Sequence, residues 1–348
     1  MATLRLNGSG CGGDKPAGDG SWRLRDVSLR AVLARQDWGS VLSSVVAVVA
    51  LGVTTLVQGE ARPRPYYIYD ATIAFPNNDS TVPYWAACLA GALACAVSVA
   101  AGELWLAARL HAGLTDALAA TLHFIVDAIS AFMVTGLATT VIKMEVGRLR
   151  PDFLDRCQPA VPAAVNITYA QSVAASPACT APLSGDLTDG HYSFPSGHTS
   201  TVFVFGLWAV GYCTWLLYVR LPQPSPAAIA ARPVGERLLH DAATAGGFLW
   251  LLALLAYAWG VGVTRIIDYK HHPSDVAAGA FLGTMLGLLF VARAIFRLGR
   301  VSEGAAAAAA AAAAGSSSPA SDVGGDHAAS LLHAGRVAHH STDPRAIV

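Results

Sequence analysis

Three short clusters in this chain carry the residue types that phosphate chemistry needs. They are Lys143-x6-Arg150-Pro151, Pro195-Ser196-Gly197-His198 and Arg265-x5-His271-x3-Asp275. Lysine offers a mobile point charge and arginine a planar fork of donors, and both suit phosphate oxygens. One histidine can attack phosphorus and a second can protonate the group that leaves. A carboxylate can fix the attacker's tautomer and stabilise its imidazolium. Each cluster alone has an ordinary explanation: basic side chains at a helix end, a turn with a capping serine, or a loop ion pair of Asp275 with Arg265 or Lys270. Together they make a set for phosphoryl transfer to histidine.

The spacing within each cluster suggests how it is built. Lys143 and Arg150 are seven residues apart, two helical turns. A helix running to Pro151 therefore presents both on one face and sends Arg148 elsewhere. Ser196 can cap the helix that follows it, Gly197 lets the backbone approach a ligand, and the free N–H groups of a helix start can receive an anion. Pro273 suits the first turn of a helix, which places Asp275 within reach of His271. His272 rivals His271 as nucleophile, because both adjoin the proline.

The elements that position these residues are apolar. Of 348 residues, 54% are hydrophobic and 13% charged, and mean hydropathy is positive. A soluble domain is about 25% charged, so the deficit marks an integral membrane protein. The net charge of zero gives no electrostatic case for nucleic-acid binding. Residues 1–26 lack a signal-peptide core, which leaves the first span as the insertion signal. Six apolar stretches, near 39–59, 84–108, 118–142, 199–219, 243–263 and 276–297, reach the length of about 20 residues that a helix needs to cross a bilayer. The expected fold is an all-α polytopic membrane protein with six transmembrane helices. Glu103 and Asp127 interrupt two spans and read as structural residues, one near a helix end and one hydrogen-bonded in packing.

The membrane domain is expected over 39–300, between a partly disordered N-terminal segment, 1–38, and an Ala-rich, largely disordered tail, 301–348. The run Ala305 to Ala314 can extend the last helix, since alanine has the highest helix propensity. Histidines 327, 333, 339 and 340 in the tail lack metal-ligand spacing.

Arginine placement sets the topology. With six crossings, Arg23, Arg25, Arg30, Arg35, Arg109, Arg220, Arg232, Arg237, Arg293, Arg297 and Arg300 fall on one side, which is then cytosolic with both termini. The three clusters fall together on the other face. That face is lumenal or extracellular, in the plasma membrane or an endomembrane. Sequons at Asn78 and Asn166 lie on it as well, while one at Asn7 lies on the cytosolic side. Cys157 and Cys179 share its long loop. They would pair in an oxidising compartment, or stand as two thiols.

In order and position the three segments resemble the signature of the type 2 phosphatidic acid phosphatase superfamily, the lipid phosphate phosphatases. The stretch from Gly147 to Cys157 and that from Asp268 to Val276 are similar to the eukaryotic branch. Asp70 to Pro76, followed by Thr81-Val82-Pro83, resembles the family's first outer loop. The resemblance covers roughly residues 39–300. Thr264 stands where the pattern has serine, and Leu149 replaces a frequent proline; neither touches a required charge.

That resemblance implies a metal-independent phosphatase acting on phosphatidate, lysophosphatidate, sphingoid phosphates or diacylglycerol pyrophosphate. It implies that His271 becomes a phosphohistidine, Asp275 orients it and His198 protonates the leaving alkoxide. Lys143, Arg150 and Arg265 hold the phosphoryl oxygens, aided by Ser196 and the Gly197 backbone. No metal or other cofactor is expected. The partner is a lipid phosphate in the bilayer, with no nucleic acid, and a homo-oligomer is allowed. The alternatives are a polyprenyl diphosphate or sugar phosphate phosphatase of the same superfamily, a non-catalytic lipid-binding membrane protein, and a transporter. The intact His198 and His271 argue against the last two.

Overall fold

The computed structural model describes residues 27–34, 36, 38–57, 64–110, 113–160, 178–182, 184–221 and 225–316. The N-terminal tail, the sequons at Asn7 and Asn166, and the chain beyond Ser316, whose disorder is a sequence expectation, lie outside these residues. Among the described residues the architecture is all helical. The helices are α1 (Leu29–Ala34), α2 (Trp38–Leu56), α3 (Tyr84–Leu110), α4 (Leu114–Val146), α5 (Phe153–Cys157), α6 (Gly185–Asp189), α7 (Gly197–Trp215), α8 (Pro226–Ala230), α9 (Val234–Ile267) and α10 (Pro273–Ser316). A π turn, Leu216–Arg220, continues α7. Six of these elements are long and apolar enough to cross a membrane: Trp38–Leu56, Tyr84–Ala108, Leu114–Val146, Gly197–Arg220, Val234–Ile267 and Pro273–Arg300. The chain is a multi-pass membrane protein, with spans where the hydropathy places them.

Two compact units divide the chain, Met1–Ala305 and Ala306–Val348. In the second, the alanine run is helical as far as Ser316.

Helix α7 is the hub. Val202, Phe203, Val204 and Phe205 are consecutive and all buried, which at 3.6 residues per turn means burial on every side. Helices α2 and α9 instead expose apolar faces, among them Leu42, Val46, Val49 and Val53, then Leu249, Leu252 and Trp259. Those faces have hydrocarbon as their natural neighbour. The main core joins Val99 of α3, Phe124 of α4, Trp208 and Tyr212 of α7 and Ala294 of α10.

Both membrane carboxylates are paired, in keeping with a structural role. Glu103 accepts from Arg220 Nη1 at 2.5 Å and Tyr212 Oη at 3.0 Å. Asp127 accepts from Arg293 at 2.7 Å and Trp208 Nε1 at 3.1 Å. An unpaired charge there would be costly, whereas each of these ties two spans together.

A close backbone approach between spans is made by Gly279, Gly283 and Gly287 of α10, spaced four apart along one face. A Cβ on Gly279 would lie 2.6 Å from the Ser196 carbonyl, and one on Gly287 2.8 Å from that of Val204. A Cβ on Gly283 would collide with the Ser200 carbonyl. Backbone-to-backbone packing of small residues is how membrane helices associate without a hydrophobic driving force between them. Here it sets the start of α7 against the start of α10. Gly283→Ala is therefore expected to push the two apart, costing about 1–3 kcal/mol as overpacking does, and to cut activity. Gly260→Ala, with nothing within 4 Å of the added carbon, should be silent. Thermal unfolding in detergent alongside turnover checks the pair.

Candidate functional site

The first cluster departs from the helix expected for it. Helix α4 stops at Val146, because Gly147 takes a left-handed φ of 56° and returns its N–H to the Lys143 carbonyl at 3.0 Å. Glycine reaches that conformation without steric penalty and ends a helix there. Arg150 thus leaves the helix and shares no helical face with Lys143. The segment after Gly147 is non-helical and anchored by backbone bonds, Arg150 N to Gly190 O at 2.9 Å and Ser193 N to Arg148 O at 2.9 Å.

The second and third clusters meet through the glycine contact. Ser196 is fully buried and caps α7, its hydroxyl accepting from Thr199 N at 3.4 Å and Thr199 Oγ1 at 2.9 Å. Its own N–H donates to the Asp275 carbonyl at 3.0 Å. His198 begins α7, with its ring edge-on to Tyr84 at 5.1 Å and Nε2 3.4 Å from Arg265 Nη1. Pro273 opens α10 as expected, with Asp275 in its first turn.

These pieces line one cavity of about 620 Å³. Lys143, Arg150, Gly197, His198, Arg265 and His271 all face it. Of the residues singled out from the sequence, Ser196 and Asp275 do not line it; both lie fully buried behind it. The position a Cβ would take on Gly197 is 3.6 Å from Lys143 Nζ. Cations dominate, and most have an aspartate. Arg150 Nη2 pairs with Asp189 at 2.6 Å, and Lys270 Nζ with Asp152 at 3.0 Å. Arg156 pairs with Asp152 at 2.7 Å and Asp186 at 2.5 Å. Arg265 pairs with Asp268, whose other bonds come from Thr81 N at 2.8 Å and Thr81 Oγ1 at 2.6 Å. Lys143 has no hydrogen bond or ion pair among the described residues. The buried Nε atoms of Arg150 and Arg265 are likewise without a partner. Unpaired buried donors around a cavity suit an acceptor-rich ligand. Among the described residues no three His, Cys, Asp or Glu side chains converge as a metal-ligand set.

His271 is buried and donates from Nδ1 to the Ser193 carbonyl at 2.7 Å. A carbonyl only accepts, so Nδ1 carries the proton and Nε2 the lone pair. Asp275 Oδ2 lies farther from Nδ1, at 3.9 Å. Its carboxylate is bound by Arg148 Nη1 at 2.7 Å, Ser193 Oγ at 2.6 Å and His272 N at 3.0 Å. Neither partner in the loop ion pair considered from the sequence is used, since Arg265 and Lys270 go to other aspartates. His272 turns aside and bonds the Leu149 carbonyl through Nε2 at 3.1 Å.

Sequence reasoning missed Arg148, Ser193, Ser80, Thr81, Asp189 and Asp268. Ser80 Oγ accepts from Arg265 at 3.1 Å, and Phe75 of the same loop, between α2 and α3, stacks on Tyr269 at 4.5 Å. The loop is thus a wall of the cavity, and its Asn78 lines it. The one available signal was the loop's resemblance to the family pattern. The Cys157–Cys179 pair is bonded, with Cα atoms 4.7 Å apart.

Burial pushes the His271 imidazole well below its usual value, and the nearby Arg150 and Lys143 charges push the same way; the Ser193 carbonyl opposes them weakly. The folded protein therefore keeps His271 neutral as pH falls through about 6.5, where an unfolded histidine would take up a proton. The acid limb of kcat/KM, corrected for substrate ionisation, is expected below that value. Folding stability should decline as pH drops beneath it, and His271→Ala should flatten the decline. A pH–rate profile and urea unfolding at several pH values check both.

The PAP2 superfamily profile matches residues 124–297. Phospholipid phosphatase 2 of Homo sapiens is 29% identical over 258 residues, covering 72% of this chain and 80% of that protein. Lipid phosphate phosphatase 2 of Arabidopsis thaliana is 30% identical over 61% of each chain. Diacylglycerol pyrophosphate phosphatase 1 of Saccharomyces cerevisiae is 33% identical over 47% of this chain and 48% of its own. No solved structure gives a significant match. With its motifs gathered on one cavity between membrane helices, the chain belongs to the PAP2 superfamily and is, with these relatives, a phosphatase.

Proposed function

We propose that this protein is a metal-independent lipid phosphate phosphatase working through a phosphohistidine. The carrying observation is that His271 and His198 line one cavity with Lys143, Arg150 and Arg265. In the first step the Nε2 lone pair of His271 forms a bond to phosphorus, the bond to the lipid oxygen breaks, and His198 gives that oxygen a proton. In the second, water attacks phosphorus, His198 takes its proton, and the N–P electron pair returns to His271. Lys143, Arg150 and Arg265, with the Gly197 backbone, hold the phosphoryl oxygens while charge develops on them. Ser196 acts by capping α7 and fixing where Gly197 and His198 stand. Asp275 acts on His271 largely through Ser193.

A lipid is favoured over a soluble ester by what adjoins the cavity. A groove of about 660 Å³ between α3 and α4 is lined by Leu89, Leu93, Ile129 and Phe205, and shares Phe132 with the polar cavity. Acyl chains suit such a surface. Phosphatidate is the reference substrate, with lysophosphatidate, sphingoid phosphates and diacylglycerol pyrophosphate as further candidates. The test is phosphate release by purified protein from a panel of lipid phosphates and polyprenyl diphosphate with excess EDTA. Release from phosphatidate should persist in EDTA and vanish in His271→Ala, falling by orders of magnitude as for a nucleophile, while His272→Ala stays active. Activity that disappears in EDTA and returns with Mg²⁺ would sink the cation-cradle reading.

The site is assigned to the lumenal or extracellular face, with both termini cytosolic. The arginine distribution supports this, and so does a disulfide in the loop beside the site, since such bonds persist in oxidising compartments. In sealed microsomes, added protease should remove tags at both termini and spare the loop between Cys157 and Cys179. The opposite pattern would invert the topology.

A further inference from the structure

We infer that Arg148 is a positioning residue that holds the Asp275 carboxylate off His271 and thereby keeps the phosphohistidine labile. The inference rests on the reading of His271 as nucleophile. It starts from how the buried carboxylate is divided. Oδ1 receives Arg148 Nη1 at 2.7 Å, while Oδ2 receives Ser193 Oγ at 2.6 Å and His272 N at 3.0 Å. The His271 Nδ1 proton goes instead to the neutral Ser193 carbonyl at 2.7 Å, with Oδ2 left 3.9 Å away. Arg148 is held at this post from two directions. Its carbonyl accepts from Ser193 N at 2.9 Å, and its guanidinium also donates to Ser274 Oγ at 2.7 Å.

A carboxylate bonded directly to Nδ1–H makes the distal nitrogen more basic and stabilises a positively charged ring. That helps attack on phosphorus. It hinders the second step, in which water's oxygen bonds to phosphorus, the N–P bond breaks and its electron pair returns to a neutral imidazole. A cationic phospho-imidazole stabilised by an adjacent carboxylate is a slower phosphoryl donor. Engaging Asp275 with Arg148, and giving the Nδ1 proton to a carbonyl, leaves the ring oriented while weakening that stabilisation. The chain after Gly147 makes this possible, because the helix ends before Arg148 and releases it toward α10.

Removing the guanidinium frees Oδ1 and lets the carboxylate close on Nδ1. Arg148→Met is therefore expected to lower kcat by about tenfold, a usual size for a lost orienting contact, with KM nearly unchanged. The fraction of enzyme trapped as phosphohistidine should rise at steady state. The readout is label from ³²P-phosphatidate retained after an alkaline detergent quench, with His271→Ala as the blank. Arg148→Lys should restore most of kcat and return the labelled fraction toward wild type. In an Asp275→Asn background Arg148→Met should change neither, because the two residues act as one unit. Should Arg148→Met fail to fold, Arg148→Gln, which keeps a donor without the charge, carries the same test. A labelled fraction that stays level or falls when kcat falls overturns the inference, since a merely structural loss slows both steps. His271-dependent label in neither the wild-type enzyme nor Arg148→Met overturns the nucleophile reading, and the inference with it. Label present in wild type but not raised in the variant overturns the inference alone.

Discussion

Positive charge gathered in one cavity is the constraint from which the rest of this structure follows. Lys143, Arg150, Arg156, Arg265 and Lys270 line one space, where the surrounding protein screens their mutual repulsion less than bulk water would. The fold answers with aspartates drawn from separate segments between the spans: Asp152 beside α5, Asp186 and Asp189 in α6, and Asp268 after α9. Those segments are fastened by charge, by the small cluster around Tyr66, Phe153 and Leu187, and by the Cys157–Cys179 bond. These connecting segments are thus the counter-charge of the site as much as its walls.

Their pairings explain what the sequence could and could not convey. Hydropathy sufficed for six spans, since about 20 apolar residues in a row leave few other fates. The parity of six crossings sufficed to bring His198 and His271 to one end of the bundle. It misjudged the end of α4, where the stop at Gly147 overrode a count made to Pro151. Asp268 and Thr81 stand 187 positions apart in the chain, and no local pattern announces that they meet. The same holds for Arg148 and Asp275. The spacing from His271 to Asp275 correctly made them neighbours, but the Ser193 carbonyl takes the closer hydrogen bond to Nδ1, at 2.7 Å against 3.9 Å. The glycines at 279, 283 and 287 went unread in the sequence, although their spacing of four stands there, and that stripe is what sets the start of α7, with His198, against the start of α10.

Under the proposed reaction the substrate completes the electrostatics rather than adding to them. Lys143 has no ion pair among the described residues, and the Nε atoms of three arginines lining the cavity, Arg150, Arg156 and Arg265, are buried without acceptors. A phosphoryl group supplies several acceptor oxygens and up to two negative charges at once. Donors held in place before binding need no rearrangement as charge shifts onto those oxygens in the transition state. The same cradle would grip inorganic phosphate, the product, just as well if every cation were unpaired. Asp189 on Arg150 and Asp268 on Arg265 oppose that outcome. They keep two of the three proposed phosphate-binding cations partly satisfied when the cavity empties, so releasing phosphate does not leave three bare charges facing one another. A cradle with fewer aspartates would bind the ester more tightly and turn over more slowly, because binding that is equal for substrate, transition state and product gains nothing in rate.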